Sequence, residues 1–268
     1  MNIINDFKNL SLDLKKRFLE NNSSINKEKF FSHKKELVLD VDMYSQDVLR
    51  EIAIKYHRNS FFVSEEMNNY RELDFNKEKI VIVDPLDGTH NFLHKLPIWG
   101  FSYTVFSKSK IPTESYISLP MQDVLIIFKD KKIFYVNIDS DFEKEIFLKV
   151  SNNNLSQMMV AFDNQFYKKP DEMKNNFLLV VDNSFTTRIS GSALFDIAML
   201  IIGKLDARIW HDVEIYDVAP LFAFFQGFNG LLNLKNGNIA SLEDKSLIAS
   251  TSDKVYEQLK RVGLSQDF

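Results

Sequence analysis

Along the first twenty residues, Ile4, Phe7, Leu10, Leu14 and Phe18 recur at intervals of three and four, the spacing of one helical face. The pattern predicts an amphipathic helix packed on something larger, ended by the polar break Asn21-Asn22-Ser23-Ser24. Over 43–56, Tyr44, Val48, Leu49, Ile52 and Tyr56 mark a second helical face. Then the pattern changes. Ile80-Val81-Ile82-Val83 is a continuous β-branched run, which reads as a fully buried strand. Asp84-Pro85 is expected to end it, because proline donates nothing to a ladder and holds the residue before it extended. Strand-like segments follow at 98–106 and 124–136, the second split by Lys129-Asp130-Lys131-Lys132 into a hairpin.

The polar stretch 139–157 is the expected boundary between an N-terminal α+β half, 1–150, and a C-terminal α/β half, 151–268. Beyond it the pattern predicts a strand at 158–162 and a further apolar run at 177–181. A buried helix over 192–202 carries Gly203 as its C-cap. A strand at 205–210 and an apolar helix at 216–225, closed by Gly227, complete the reading. Strands mixed with helices in this way indicate a layered α/β architecture.

Composition narrows the picture by exclusion. Of 268 residues, 45% are hydrophobic and 26% charged, enough apolar material for a sizeable core. A net charge of −4 leaves no basic footprint, so nucleic acid is not an expected partner. Without cysteine there can be no disulfide, zinc–cysteine site or thiol nucleophile. No signal peptide or long apolar span is apparent, so neither a membrane nor export is expected and the cytoplasm is the default.

Four acids stand beside apolar sequence rather than on a polar face: Glu65, Asp84, Asp87 and Asp217. Asp217 alone reads as readily as a helix cap. Asp84 and Asp87 are harder to dismiss, because they flank Pro85-Leu86 at a strand end, where α/β sheets form ligand sites. Two carboxylates about 4 Å apart repel by roughly 4 kcal/mol at an effective dielectric near 20. No Lys or Arg in that run offsets the repulsion; a divalent cation would, and all-oxygen ligands suit Mg2+ or Mn2+. Gly88-Thr89 adds backbone amides able to face a phosphate. Metal and anion cradle together suggest phosphoryl transfer to water, with Thr89 and Glu65 as proton acceptors. His90 and His94 have helical zinc-pair spacing, but without a third ligand they read as rim or packing residues.

The same residues resemble a known family. Val83-Asp84-Pro85-Leu86-Asp87-Gly88-Thr89-His90-Asn91-Phe92 is similar to the signature of the inositol monophosphatase superfamily, the lithium-sensitive, magnesium-dependent phosphatases. Glu36-Leu37-Val38-Leu39-Asp40-Val41-Asp42 resembles its D-L-V-T-x-x-D segment, and Phe62-Val63-Ser64-Glu65-Glu66 its I-G-E-E. Gly191-Ser192-Ala193, Tyr216-Asp217-Val218-Ala219 and Ile248-Ala249-Ser250-Thr251 resemble later motifs in the right order. The resemblance implies an α/β (α+β) fold, a layered αβαβα sandwich of the inositol monophosphatase/fructose-1,6-bisphosphatase type, often a homodimer. It implies that Glu65, Asp84 and the Leu86 carbonyl hold one Mg2+ and that Asp84, Asp87 and Asp217 hold a second, with a weaker third ion at Glu65. Thr89, supported by Asp42 and Glu65, would orient the attacking water. Gly88 and Thr89 would grip the phosphate; Asp87, Gly191, Ser192 and Ala193 would line the substrate side. The implied substrate is a small-molecule phosphate ester of the inositol-1-phosphate kind. Fructose 1,6-bisphosphate, histidinol phosphate and 3′-phosphoadenosine 5′-phosphate are alternatives, and a non-catalytic metal- or phosphate-binding relative is a further one.

Two departures matter. Leu39 replaces a threonine of the water-activating network, and Trp210 stands seven residues before Asp217, where inositol-phosphate enzymes carry an acid. A tryptophan there favours stacking on a ring or sugar face, unless Asp212 binds the hydroxyls instead.

Overall fold

The computed structural model describes residues 2–20, 24–31, 34–67, 79–225, 231–233 and 239–264. In chain order its elements begin with helix α1 (Ile3–Leu19), strands β1 (Ile25–Phe31) and β2 (Lys34–Leu39), helix α2 (Asp40–Tyr56) and strand β3 (Phe61–Ser64). Strand β4 (Lys79–Asp87) leads into the short helix α3 (Thr89–Leu93). Strands β5 (Gly100–Ser107), β6 (Pro112–Leu119), β7 (Val124–Lys129), β8 (Lys132–Asn137) and β9 (Glu143–Ile146) follow. Next come β10 (Met159–Phe162), α4 (Pro170–Asn183), β11 (Thr186–Arg188), α5 (Ala193–Ile201), β12 (Ala207–Trp210) and α6 (Ile215–Phe225). Strands β13 (Leu231–Asn233) and β14 (Leu247–Ser250) precede α7 (Asp253–Arg261).

The chain divides into two compact units. The first comprises Met1–Ile146 and two short segments from later in the chain, Ser192–Phe195 and Ile215–Ala223; the remainder forms the second. The first unit therefore holds Asp217, which the sequence reading had placed with the C-terminal half.

The first unit contains a seven-stranded sheet in the order β3-β4-β5-β6-β7-β8-β9. Its pairs are antiparallel except β3 with β4, which run parallel. Helix α1 forms where its periodicity predicts, with Asn2 as N-cap accepting from the Ile4 amide. It buries Phe7, Leu10, Leu14 and Phe18 in one cluster with Phe101, Tyr103, Tyr116 and Trp99 of the sheet unit. The Phe7 and Tyr116 rings stack at 4.3 Å. The hairpin between β7 and β8 turns on Asp130 and Lys131, both at positive φ, as a tight two-residue turn requires.

One expectation fails here. Strand β4 does not end at Asp84-Pro85; it continues to Asp87, paired with Gly100, across a register shift between Asp84 and Asp87. The bulge leaves Pro85 outside the regular ladder, so its missing N–H costs no pairing.

The second unit carries a five-stranded sheet in the order β11-β10-β12-β14-β13, with β10 parallel to both neighbours and β14 antiparallel to both of its own. Its core joins Val160, Phe162, Ala207, Ile209 and Ile248 of the strands to Met173 and Val180 of α4 and Val255 and Leu259 of α7. Gly203 follows α5 at φ +71. The 203 and 204 amides bond back to Leu200 and Met199, as a glycine C-cap does. Gly227, expected to close α6, and Asn21, Asn22 and Ser23, expected to end α1, lie outside the described residues.

Candidate active site

Four separate segments bring acids together in the first unit. Asp42 lies in the first turn of α2, Glu65 directly after β3, Asp84 and Asp87 in the bulged end of β4, and Asp217 in the first turn of α6. Asp84 is buried. Its carboxyl is held well above the usual carboxylate range, first by burial and then by the charges of Glu65, Asp87, Asp217 and Asp42. The influences that act on it are all of one sign, and no cation is among them. The side chain accepts one hydrogen bond, from the Leu86 amide at 3.2 Å.

Asp87 is positioned by the start of α5. Its carboxylate accepts from the Ala193 amide at 3.0 Å, the Leu194 amide at 2.8 Å and the Ser192 hydroxyl. Ser192 Oγ in turn accepts from the Phe195 amide at 3.1 Å. An acid at a helix N-terminus satisfies orphan amides and the helix dipole, so Asp87 locks the 192–195 segment to β4. Spacing in the sequence, more than a hundred residues, gives no hint of this contact.

Asp42 folds back on its own helix start. Its Oδ2 accepts from the Leu39 amide at 2.6 Å, and its Oδ1 from Thr89 Oγ1 at 3.3 Å. Leu39 occupies the N-cap position, is buried, and offers no side-chain acceptor, so Asp42 alone supplies polar capping there. Burial pushes the Asp42 carboxyl up to about 7; the Leu39 amide and Thr89 hydroxyl favour the ionised form, and the nearby Glu66 charge opposes it. Glu66 is a neighbour that sequence reasoning did not single out; its only signal is its place beside Glu65.

Gly88 and Thr89 begin α3. Gly88 sits at φ +81, and a Cβ there would stand 2.9 Å from the Ile98 carbonyl, so only glycine fits. Thr89 Oγ1 is 2.9 Å from the Leu86 carbonyl, its nearer acceptor, which leaves Asp42 as the alternative for the same proton. His90 and His94 both face solvent.

The remaining substrate-side residues belong to the second unit. Trp210 is 1% exposed, and its ring lies 4.7 Å under the Arg208 guanidinium, whose own partners are Asp196 and, at 3.8 Å, Asp163. Asp212 sits at φ +51 in the turn after β12, its carbonyl accepting from Lys168. Gly191 lies at φ +74.

Do these residues fit a divalent cation? Among the described residues, no three acids or imidazoles have closed into ready coordination geometry. The donor set fits by its chemistry: buried or half-buried carboxylates with a neighbouring backbone carbonyl, all oxygen, and an excess of negative charge around Asp84.

Comparison with known proteins agrees with this geometry. The inositol monophosphatase family matches residues 7–263. The chain belongs to that family. An inositol monophosphatase of Dictyostelium discoideum is 22% identical, covering 90% of this chain and 88% of the relative. A protein of Neisseria meningitidis serogroup A named as a putative Nus factor SuhB is also 22% identical, covering 84% of each. The crystal structure of the extragenic suppressor protein suhB from Bartonella henselae superposes with a TM-score of 0.83 at 21% identity, over 100% of this chain and 99% of that one. The layered α/β architecture of the family is thus shared. Among the described residues, no helix is long and apolar enough to cross a membrane.

Proposed function

We propose that this chain hydrolyses a small-molecule phosphate monoester with divalent cations, Mg2+ foremost, held by the acid cluster around Asp84. The observation that carries this reading is the like-charge pressure on buried Asp84 from Glu65, Asp87, Asp217 and Asp42. Retaining that repulsion without a counter-ion would be costly. Glu65, Asp84, Asp87, Asp217 and the Leu86 carbonyl would hold the cations, two to three per site, with Mn2+ able to substitute. When bound, the cations neutralise the acids, polarise a phosphoryl oxygen and make water a better nucleophile.

The chain's own residues supply the rest. Ser192 and the Ala193 and Leu194 amides fix Asp87, so its carboxylate cannot swing away from Asp84. The amides at the start of α3, freed of side-chain bulk at Gly88, face a phosphoryl oxygen. Thr89 Oγ1 takes the proton of the attacking water while handing its own to Asp42, whose elevated pKa of about 7 suits an acceptor working near neutrality.

A second reading, a non-catalytic relative, draws on two observations: the hydroxyl-free Leu39 at the α2 cap, and a relative whose name is that of a factor rather than a phosphatase. One experiment separates the two. Phosphate release from inositol 1-phosphate and a panel of sugar and nucleotide phosphates is measured with Mg2+ and with an EDTA blank. Turnover that needs Mg2+ and disappears in Asp217→Ala supports the phosphatase, with lithium expected to inhibit. Equal release with EDTA, or none from any ester, contradicts it.

A further inference from the structure

A second cavity in the first unit shares no residue with the acid cluster. It lies where the C-terminal end of α2 meets β3, and its volume of about 320 Å³ reaches the lower end of the range for small-molecule sites. Its walls are mainly apolar: Ala53, Ile54, Phe61, Phe62 and Met67. Ile54 is 63% exposed and Met67 38%, so large apolar side chains face solvent at this cleft.

His57 lines the same cleft and is 5% exposed. Neither of its ring nitrogens has a hydrogen-bond partner among the described residues. A buried imidazole with both nitrogens unsatisfied costs on the order of 1–3 kcal/mol per lost partner, and such groups call for an occupant. Burial also holds its pKa below the ordinary value, in the neutral form with one donor and one acceptor to offer. Arg50, exposed on α2, is the one charged side chain among the lining residues. Asn59 and Ser60 add short polar groups where the chain turns into β3, with Asn59 at φ +66.

We infer that this cleft binds a small organic carboxylate with an apolar body, its ring or branched chain against Ile54, Phe61 and Phe62 and its carboxylate shared between Arg50 and His57. An apolar wall with one cation and one unsatisfied donor selects an anion carrying hydrophobic surface, not a fully hydroxylated one. Both features are set by α2 and β3 alone.

Benzoate is the probe, with benzamide as its uncharged counterpart, titrated against the full chain while the His57 imidazole resonances are followed by NMR. Saturable shifts of His57 with benzoate, and affinity lower by about tenfold in Arg50→Gln and for benzamide, are expected from loss of one charge-assisted contact. Arg50 is exposed, so its substitution leaves the fold intact. Absence of a saturable His57 shift, as an imidazole satisfied by water would give, overturns the proposal. Equal affinity of Arg50→Gln, or of benzamide, overturns it as well.

Discussion

Buried acids occur in both units, and they are stabilised in opposite ways. In the second unit, Asp196 and Asp163 lie on either side of the buried Arg208 guanidinium, which also covers the Trp210 ring. The positive charge comes from the chain itself, and the cluster is complete as folded. In the first unit, Asp84 faces Glu65, Asp87, Asp217 and Asp42, and the charges acting on it are all negative. Burial of an acid is therefore no sign of function by itself; burial against other acids is. The cation that the first cluster calls for has to come from solution.

This contrast can be broken from either side. The largest effect is expected from Asp84→Asn, which should lower Mg2+-dependent phosphate release by about 10³-fold, the rate equivalent of several kcal/mol of lost charge stabilisation. In EDTA the same variant should melt higher than wild type, because a repelling buried charge is gone. A lower melting temperature there would show that Asp84 is structural. Arg208→Met tests the other cluster. Removing the internal cation strands two buried acids and should cost about 3–5 kcal/mol by denaturant titration. A loss below about 1 kcal/mol would mean the pair is solvated like a surface bridge.

A smaller effect is expected at Gly88. Gly88→Ala forces a Cβ against the Ile98 carbonyl at positive φ and should cost about 1–3 kcal/mol, with turnover falling as the turn before Thr89 moves. Unchanged stability and rate would remove that turn from the account.

The smallest predicted differences are in pH dependence, and their signs oppose. Asp42 has its pKa raised from 3.8 to about 7. The folded, metal-free protein therefore holds a proton that the unfolded chain has lost, and this contribution to stability disappears as pH rises from about 4 to 7. His211, buried and bonded to Asn176, has its pKa lowered from 6.5 to about 3 by burial and, less, by Lys169. Its contribution is present above 6.5 and lost as pH falls toward 3. In EDTA, Asp42→Asn should flatten the loss toward neutral pH, and His211→Gln the loss toward acid. Identical pH profiles for either variant and wild type would refute the corresponding assignment.

Much of the scaffold was legible in the sequence where periodicity and punctuation agreed. Helix α1 has an unbroken apolar face and an asparagine cap, and Gly203 ends α5 as its conformation demands. Strand β4 was cut short because a bulge can carry a proline that a regular ladder cannot. The apolar run at 177–181 belongs to α4, a helix opened by Pro170 with Asp171 and Glu172 in its first turn; a short apolar run does not identify its own period. Helix α7 was not foreseen, although Ser252 caps it through the Val255 amide. At the candidate site, the acids were legible as types beside apolar runs. Their convergence was not, because Asp87 meets Ser192, Ala193 and Leu194 only through tertiary contact. Trp210 suggested a stacking surface, yet the ring is buried beneath Arg208, two residues earlier on the same strand.

The central claim is that the acids around Asp84 form a divalent cation site, and calorimetric titration of Mg2+ into metal-free protein tests it most directly. Run near pH 6 in two buffers of different ionisation enthalpy, the account predicts saturable binding with proton release, as Asp84 and Asp42 give up protons to admit the cation. Asp84→Asn should abolish it. Absence of saturable heat in wild type, or the same binding in Asp84→Asn, would contradict the account.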